Sequence, residues 1–329
     1  MKRNIAFGII VSAIFLYLAL NNVNFAEMWT SLKHANYWYV LPYSAFIIFG
    51  MWVRAYRWRF MTDHIKKIGL GSLFSSTMIG FMAINLLPAR LGEVVRAYSL
   101  GAKEKISKSA TFATIILERI FDLIALLVLI WFTLVFFPTP PEIRKVGYLT
   151  LVLIAGILLI LYFLKTKTAP TLVVLEKPFI FLKKSWRDKA KELFEKFATG
   201  LTILVDFKTL WLVILISILL WFATAFCNYL IFLAFDIDPR PPIYASFILL
   251  IFVAFGISLP SSPGFIGTFQ FACVLALRFF KIPDSTAFSI SVVLWAGNFL
   301  PVTLIGLYYL KKEHFSLRRV HPEELAQET

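Results

Sequence analysis

Charge is scarce in this 329-residue chain: Asp, Glu, Lys and Arg make up 16% of it, against 59% hydrophobic residues and a mean hydropathy of +0.78. Soluble domains carry roughly 25% charged and 45–50% apolar residues, so a water-soluble fold is excluded. The 34 Phe and 9 Trp exceed what one water-bounded core of this size can hide, and lipid must be the solvent for much of the surface. Cysteine is scarcer still. Cys227 and Cys273 both lie inside apolar runs, which excludes a disulfide framework and leaves them as small buried hydrophobes. The four histidines, His34, His64, His314 and His321, are scattered without ligand-like spacing, so no metal centre is expected. Neither a Walker loop nor a glycine-rich dinucleotide turn occurs, so ATP is not the direct energy source and no cofactor is expected. No nucleophile stands beside a base, so the sequence advertises no catalytic centre.

Acidic residues are the minority among the charges, 19 against 33 Lys and Arg, for a net charge of +14. In a soluble protein that excess points to nucleic acid. Here the basic residues cluster between apolar runs, as in loops that face anionic lipid headgroups, and no nucleic-acid partner is expected.

Crossing roughly 30 Å of hydrocarbon takes about 20 apolar residues. Stretches free of Asp, Glu, Lys and Arg run over 4–26, 35–53, 68–89, 123–141, 146–164, 209–235, 241–277 and 285–310. The first follows Lys2 and Arg3 like a signal peptide, but it ends in Leu20-Asn21-Asn22 without a small-residue cleavage site, so a retained helix is expected. The helix beginning at Ala110 reaches Phe137 before Pro138 and carries Glu118, Arg119 and Asp122 at depth. Two stretches do not read as simple helices. After Pro88, residues 90–98 are too few to recross a bilayer, and 241–277 is interrupted by Leu259-Pro260-Ser261-Ser262-Pro263-Gly264-Phe265-Ile266-Gly267, where prolines remove donors and glycines permit a bend. Irregular backbone at membrane depth needs protein or a wet cavity around it.

The fold expected is therefore an all-α polytopic integral membrane protein with about six spanning helices, near 4–22, 37–54, 110–137, 146–164, 209–235 and 284–310. To these are added two oppositely oriented re-entrant hairpins, 71–100 and 243–280, related as an inverted repeat. Leu87-Pro88 before Gly92 and Leu259-Pro260 before Gly264 share one spacing. The chain divides into a first membrane half (1–164), a basic amphipathic linker helix (165–208), a second membrane half (209–310) and a tail (311–329). With both termini cytoplasmic, 24 Lys and Arg fall in cytoplasmic pieces, 54–70 among them, and five outside; the positive-inside rule favours that orientation in a cytoplasmic (inner) membrane. Tyr37, Trp38 and Tyr39, then Trp52, Tyr56 and Trp58, fit aromatic belts at the two ends of one helix.

A charge at the bilayer centre costs roughly 2.5–3.5 kcal/mol on insertion scales, so intramembrane charges mark a functional site by default. Arg90, Glu93 and Arg96 are spaced three apart beyond the first hairpin tip, and Glu118 and Asp122 lie four apart with Arg119 three before Asp122, which groups them on helix faces. The arginines offer forked donors to a phosphate, and the carboxylates face an amine, a hydroxyl or a proton. The alternative is that these six groups neutralise one another and pin the hairpin to the long helix. The second tip adds Ser261 and Ser262 and backbone amides near Gly264 and Gly267, free to hold an anion at a half-helix start; the alternative there is a break that only closes the bundle.

The run Asn85-Leu86-Leu87-Pro88-Ala89-Arg90-Leu91-Gly92-Glu93-Val94-Val95-Arg96, the block Glu118-Arg119-Ile120-Phe121-Asp122, and Leu259 through Phe269 together resemble the lysylphosphatidylglycerol synthase transmembrane-region family. The resemblance implies a flippase-like membrane domain that moves a polar-headed lipid between leaflets, here in a stand-alone form without the aminoacyl-transferase domain of the synthases. Its implied partners are a phospholipid or isoprenoid-phosphate lipid, the bilayer, and a separate lipid-modifying enzyme. Two other functions stay open: a membrane-embedded transferase acting on an isoprenoid phosphate with Glu93 or Asp122 as base, and a non-catalytic partner that recruits a lipid synthase through 165–208.

Overall fold

The computed structural model describes residues 2–88, 91–138, 141–166 and 207–317, and the regular structure among them is helical throughout. In chain order the helices are α1 (Lys2–Leu20), α2 (Phe25–His34), α3 (Val40–Thr62), α4 (Leu70–Leu86), α5 (Gly92–Glu104), α6 (Lys108–Phe136), α7 (Pro141–Thr166), α8 (Phe207–Ala234), α9 (Tyr244–Ser258), α10 (Thr268–Arg278) and α11 (Asp284–Lys312). The 165–208 linker, almost all of it, and the tail beyond 317 lie outside the described residues, as does Arg90.

Among the described residues α6, α8 and α11 are long and apolar enough to cross a bilayer, and α1 with α2 makes a fourth if that pair, bent by 85°, is one span. The bend follows from Asn21-Asn22, which end α1, and from Asn24, whose side chain accepts from the amides of Ala26 and Glu27 and so caps α2. α2 then lies across the start of α11: Ser289 donates to the Met28 carbonyl at 3.1 Å, and the Asn24 amide donates to Ser285 at 3.0 Å.

Both interruptions form helix–turn–helix hairpins. α4 and α5 join through Leu87-Pro88, and α9 and α10 through a short 3₁₀ turn, Pro263–Phe265. Leu87 and Leu259 are extended, with ψ of 146° and 144°, because the proline that follows each one disfavours the helical region. The matched glycines serve different ends. Gly92 is helical, and a Cβ there would fall 2.3 Å from the Gly80 carbonyl oxygen and the Ile84 amide, so it lets α5 press onto α4. Gly264 takes φ +72° in the turn, a conformation that side chains resist; its carbonyl accepts from Trp295 at 2.7 Å.

The hairpin tips meet. A Cβ on Gly264 would lie 3.5 Å from the Asn85 carbonyl, at the end of α4, and 3.1 Å from the Phe299 ring of α11. Each hairpin's following helix packs on the other hairpin. Phe132 of α6 and Phe137, which caps it, pack on Phe247 of α9, and Phe137 stacks on Tyr244, while α11 crosses α4 so closely that a Cβ on Gly306 would lie 2.2 Å from that of Met82. α11 spans about 43 Å, and ion pairs mark both of its ends: Arg278 with Asp284 at one, Lys103 with Glu313 at the other.

One assignment is corrected. The segment from residue 54 is not a loop, because α3 continues to Thr62. Arg57 and Trp58 are both fully buried, so neither belongs to a cytoplasmic loop or an aromatic belt; only Trp52 of that trio is exposed. The uncharged run ends at the first arginine, whereas the helix persists because carboxylates of α6 receive the charges.

Candidate functional site

The charged cluster is built on α3, α5, α6 and α8. A four-residue step on α6 sets Glu118 and Asp122 on one face, and a three-residue step on α3 sets Arg54 and Arg57 toward it. Arg57 is the hub: it lies 3.1 Å from Glu118 and 2.7 Å from Asp122, and it also donates to Ser217 of α8 at 2.6 Å. Arg54 reaches Asp122 at 3.2 Å, and Arg96 of α5 reaches Glu118 at 3.0 Å. Arg119 donates to Glu118 at 3.0 Å and lies 3.5 Å from Asp122 and 3.7 Å from Glu93.

Burial is graded across the cluster. The Arg57 and Glu118 side chains are fully enclosed, while those of Arg119 and Glu93 are 33% and 22% exposed and form an open edge. Glu118 lies ten residues from the Lys108 end of α6 and Asp122 fourteen from the Phe136 end, about 15 Å and 21 Å along the axis. The two carboxylates therefore lie near the middle of α6.

Four guanidinium groups face three carboxylates in these pairs, so the described cluster holds an excess positive charge. Its donors are not all committed: Nε of Arg57 and both Nε and Nη2 of Arg96 are buried without a hydrogen-bond partner. The Arg96 guanidinium packs 3.8 Å from the centre of the Trp58 ring and 6.0 Å from that of Phe81. Trp58 is itself fixed by donating to Thr114 at 2.8 Å. The aromatic faces compensate part of the charge, yet they leave in-plane N–H groups able to take an anion's oxygens.

Five of the six charges singled out in the sequence are thus brought together, namely Glu93, Arg96, Glu118, Arg119 and Asp122; Arg90 lies outside the described residues. Arg54, Arg57 and Ser217 were missed. The signal for the first two is Arg-x-x-Arg at helical spacing directly after an apolar run; Ser217, one hydroxyl in an apolar helix, carries none.

The second tip stands differently. The Ser262 amide donates to Ser12 of α1 at 2.7 Å, and the Gly267 amide donates to the Gln270 side chain at 2.7 Å. A Cβ on Gly267 would lie 2.2 Å from the Ser12 carbonyl oxygen. The amides of Ser262 and Gly267 are therefore occupied by α1 and by the cap of α10, rather than free as the sequence suggested. Gly264 faces Asn85 and Phe299, and Ser261 packs against Gly8.

Long apolar helices around a buried ionised cluster define a multi-pass membrane protein. Residues 5–306 match the family described as the lysylphosphatidylglycerol synthase TM region, and the chain belongs to it. It is 27% identical over 245 residues to a UPF0104 membrane protein of Methanocaldococcus jannaschii, covering 70% of this chain and 94% of that one. It is 23% identical over 325 residues to a UPF0104 membrane protein of Methanothermobacter thermautotrophicus, covering 93% and 95%. No solved structure matches.

Proposed function

We propose that the protein is a lipid translocase that moves a phosphate-headed lipid between leaflets, with the headgroup passing the arginine cluster while the chains stay in lipid. The observation that carries this reading is an excess of guanidinium charge near mid-helix depth with the Nε and Nη2 donors of Arg96 uncommitted. Arg96, Arg119 and Arg54 hold the phosphate in this reading. Glu118 and Asp122 offset part of the guanidinium charge. In the bilayer the two hairpins are re-entrant and enter from opposite faces, as halves of an inverted repeat; that α6 and α11 each pack on the other hairpin as well as on their own supports this. Ser261, Ser262 and Gly264 shape the turn in this reading, and Gly267 caps α10. A transferase with Glu93 or Asp122 as base has less support, since Asp122 already accepts from Arg54 and Arg57 and Glu93 faces Arg119 at 3.7 Å.

The test is leaflet exchange of fluorescent phosphatidylglycerol and of a fluorescent isoprenoid phosphate in vesicles that contain the full chain. Arg96→Lys keeps the charge beside Glu118 and removes the forked donors. Losing one charge-assisted hydrogen bond slows exchange by about tenfold or more, with the unfolding temperature little changed. Exchange in wild-type vesicles no faster than in protein-free vesicles, for both lipids, would falsify the proposal.

A further inference from the structure

We infer that the protein holds a second lipid site at the Phe136 end of α6, taking one phosphate-headed lipid lengthwise with its phosphate at Arg144 and a hydrocarbon chain in a groove between α1, α6, α9 and α10. This inference needs only that the helices lie in a bilayer; it stands whether or not the arginine cluster translocates anything.

The groove is a cavity of about 650 Å³ walled by Phe15, Ile130, Ile248, Phe255, Phe271 and Leu275. Three hydroxyls border it, and each is satisfied by its own backbone: Thr133 donates to Leu129, Ser258 to Ala254 and Thr268 to Phe265. A wall with every hydroxyl proton committed selects hydrocarbon and rejects a polar ligand. The groove follows α9 from Ile248 to Ser258, ten residues or about 15 Å, which is half of the roughly 30 Å hydrocarbon core. One end lies at the hairpin turn whose Gly264 meets Asn85. The other end is at Leu134, so the groove is one leaflet deep.

Leu134 is shared with an adjoining cavity of about 330 Å³, bordered by Trp131, Phe137, Arg144 and Tyr148. Trp131 and Tyr148 are exposed, as aromatic residues at headgroup level are, and the exposed Arg144 guanidinium matches a phosphate in fork geometry. The expected topology leaves few basic residues on this side, and Arg144 is one of them, beside Lys145. Topology alone gives no reason for a guanidinium here. Asp122 is twelve residues from Leu134 on α6, about 18 Å away, so this site and the arginine cluster are separate.

The experiment places the full chain in phosphatidylcholine vesicles doped with phosphatidylglycerol bearing a photoreactive diazirine in one acyl chain, or with a diacylglycerol carrying the same chain. Peptide mass spectrometry then reads labelling at Phe255, Phe271 and Leu275. The phospholipid probe should label these residues about tenfold more than the phosphate-free probe, the scale of one charge-assisted hydrogen bond. Arg144→Gln should bring labelling down to the diacylglycerol level, while Lys281→Gln should not. Equal labelling of the wild type by both probes overturns the site, and this comparison requires no variant. Undiminished phospholipid labelling of a folded Arg144→Gln protein overturns it as well.

Discussion

At Glu118 three arginines converge on one enclosed carboxylate. Removing one partner of a buried ion pair leaves charge uncompensated, which costs about 3–5 kcal/mol. Glu118→Gln should therefore destabilise the protein by about that much, because Arg57 and Arg96 are left facing an amide. Glu93→Gln, at the open edge and 3.7 Å from Arg119, should cost less than about 1 kcal/mol. Thermal unfolding of both variants in one detergent checks the ranking; equal losses would mean that burial does not control the cluster. Glu118 and Asp122 were legible in the sequence because charges inside an apolar helix stand out. Arg57 was not, because a charge at the end of an apolar run looks the same whether the helix stops or continues.

For the elements, the hairpin bends were legible because proline and glycine act locally. The reason for each glycine was not. The Leu-Pro spacing before Gly92 and Gly264 is the same, yet the first permits a helix contact and the second a left-handed turn. Gly92→Ala forces a methyl group into backbone atoms 2.3 Å away and should cost about 1–3 kcal/mol as overpacking, while shifting Arg96 away from Glu118. Gly69→Ala meets nothing within 4 Å and should stay within about 0.5 kcal/mol of wild type. Chemical unfolding midpoints distinguish the two, and an unperturbed Gly92→Ala protein would mean that α4 and α5 are not pressed together. The partners that occupy the Ser262 and Gly267 amides come from Ser12, some 250 residues away, and from Gln270; the first of these is invisible to local reading.

Across the whole molecule, the ion pairs at the two ends of α11 mark which groups share an end, and the excess of Lys and Arg in the sequence predicts which end is cytoplasmic. Lys66 pairs with Glu104, and Lys103 with Glu313, at one end; Arg278 pairs with Asp284 at the other. Single cysteines at Lys66 and Glu313 should react with a membrane-impermeant maleimide only from the cytoplasmic side, and one at Lys281 only from outside. The native thiols Cys227 and Cys273 are buried, which keeps the background low. Labelling of all three sites from a single side would refute the arrangement.

The residues by themselves determined the solvent, the helical class and the family, because apolar content and runs of about 20 apolar residues are properties of composition and local order. They also supplied most of the charges that matter. Only the tertiary structure decided which charges meet, which amides are already taken, and that an apolar groove lies beside α6. Each of these depends on contacts between segments far apart in the chain, and the packing of close-fitting helices, rather than any local pattern, sets those distances.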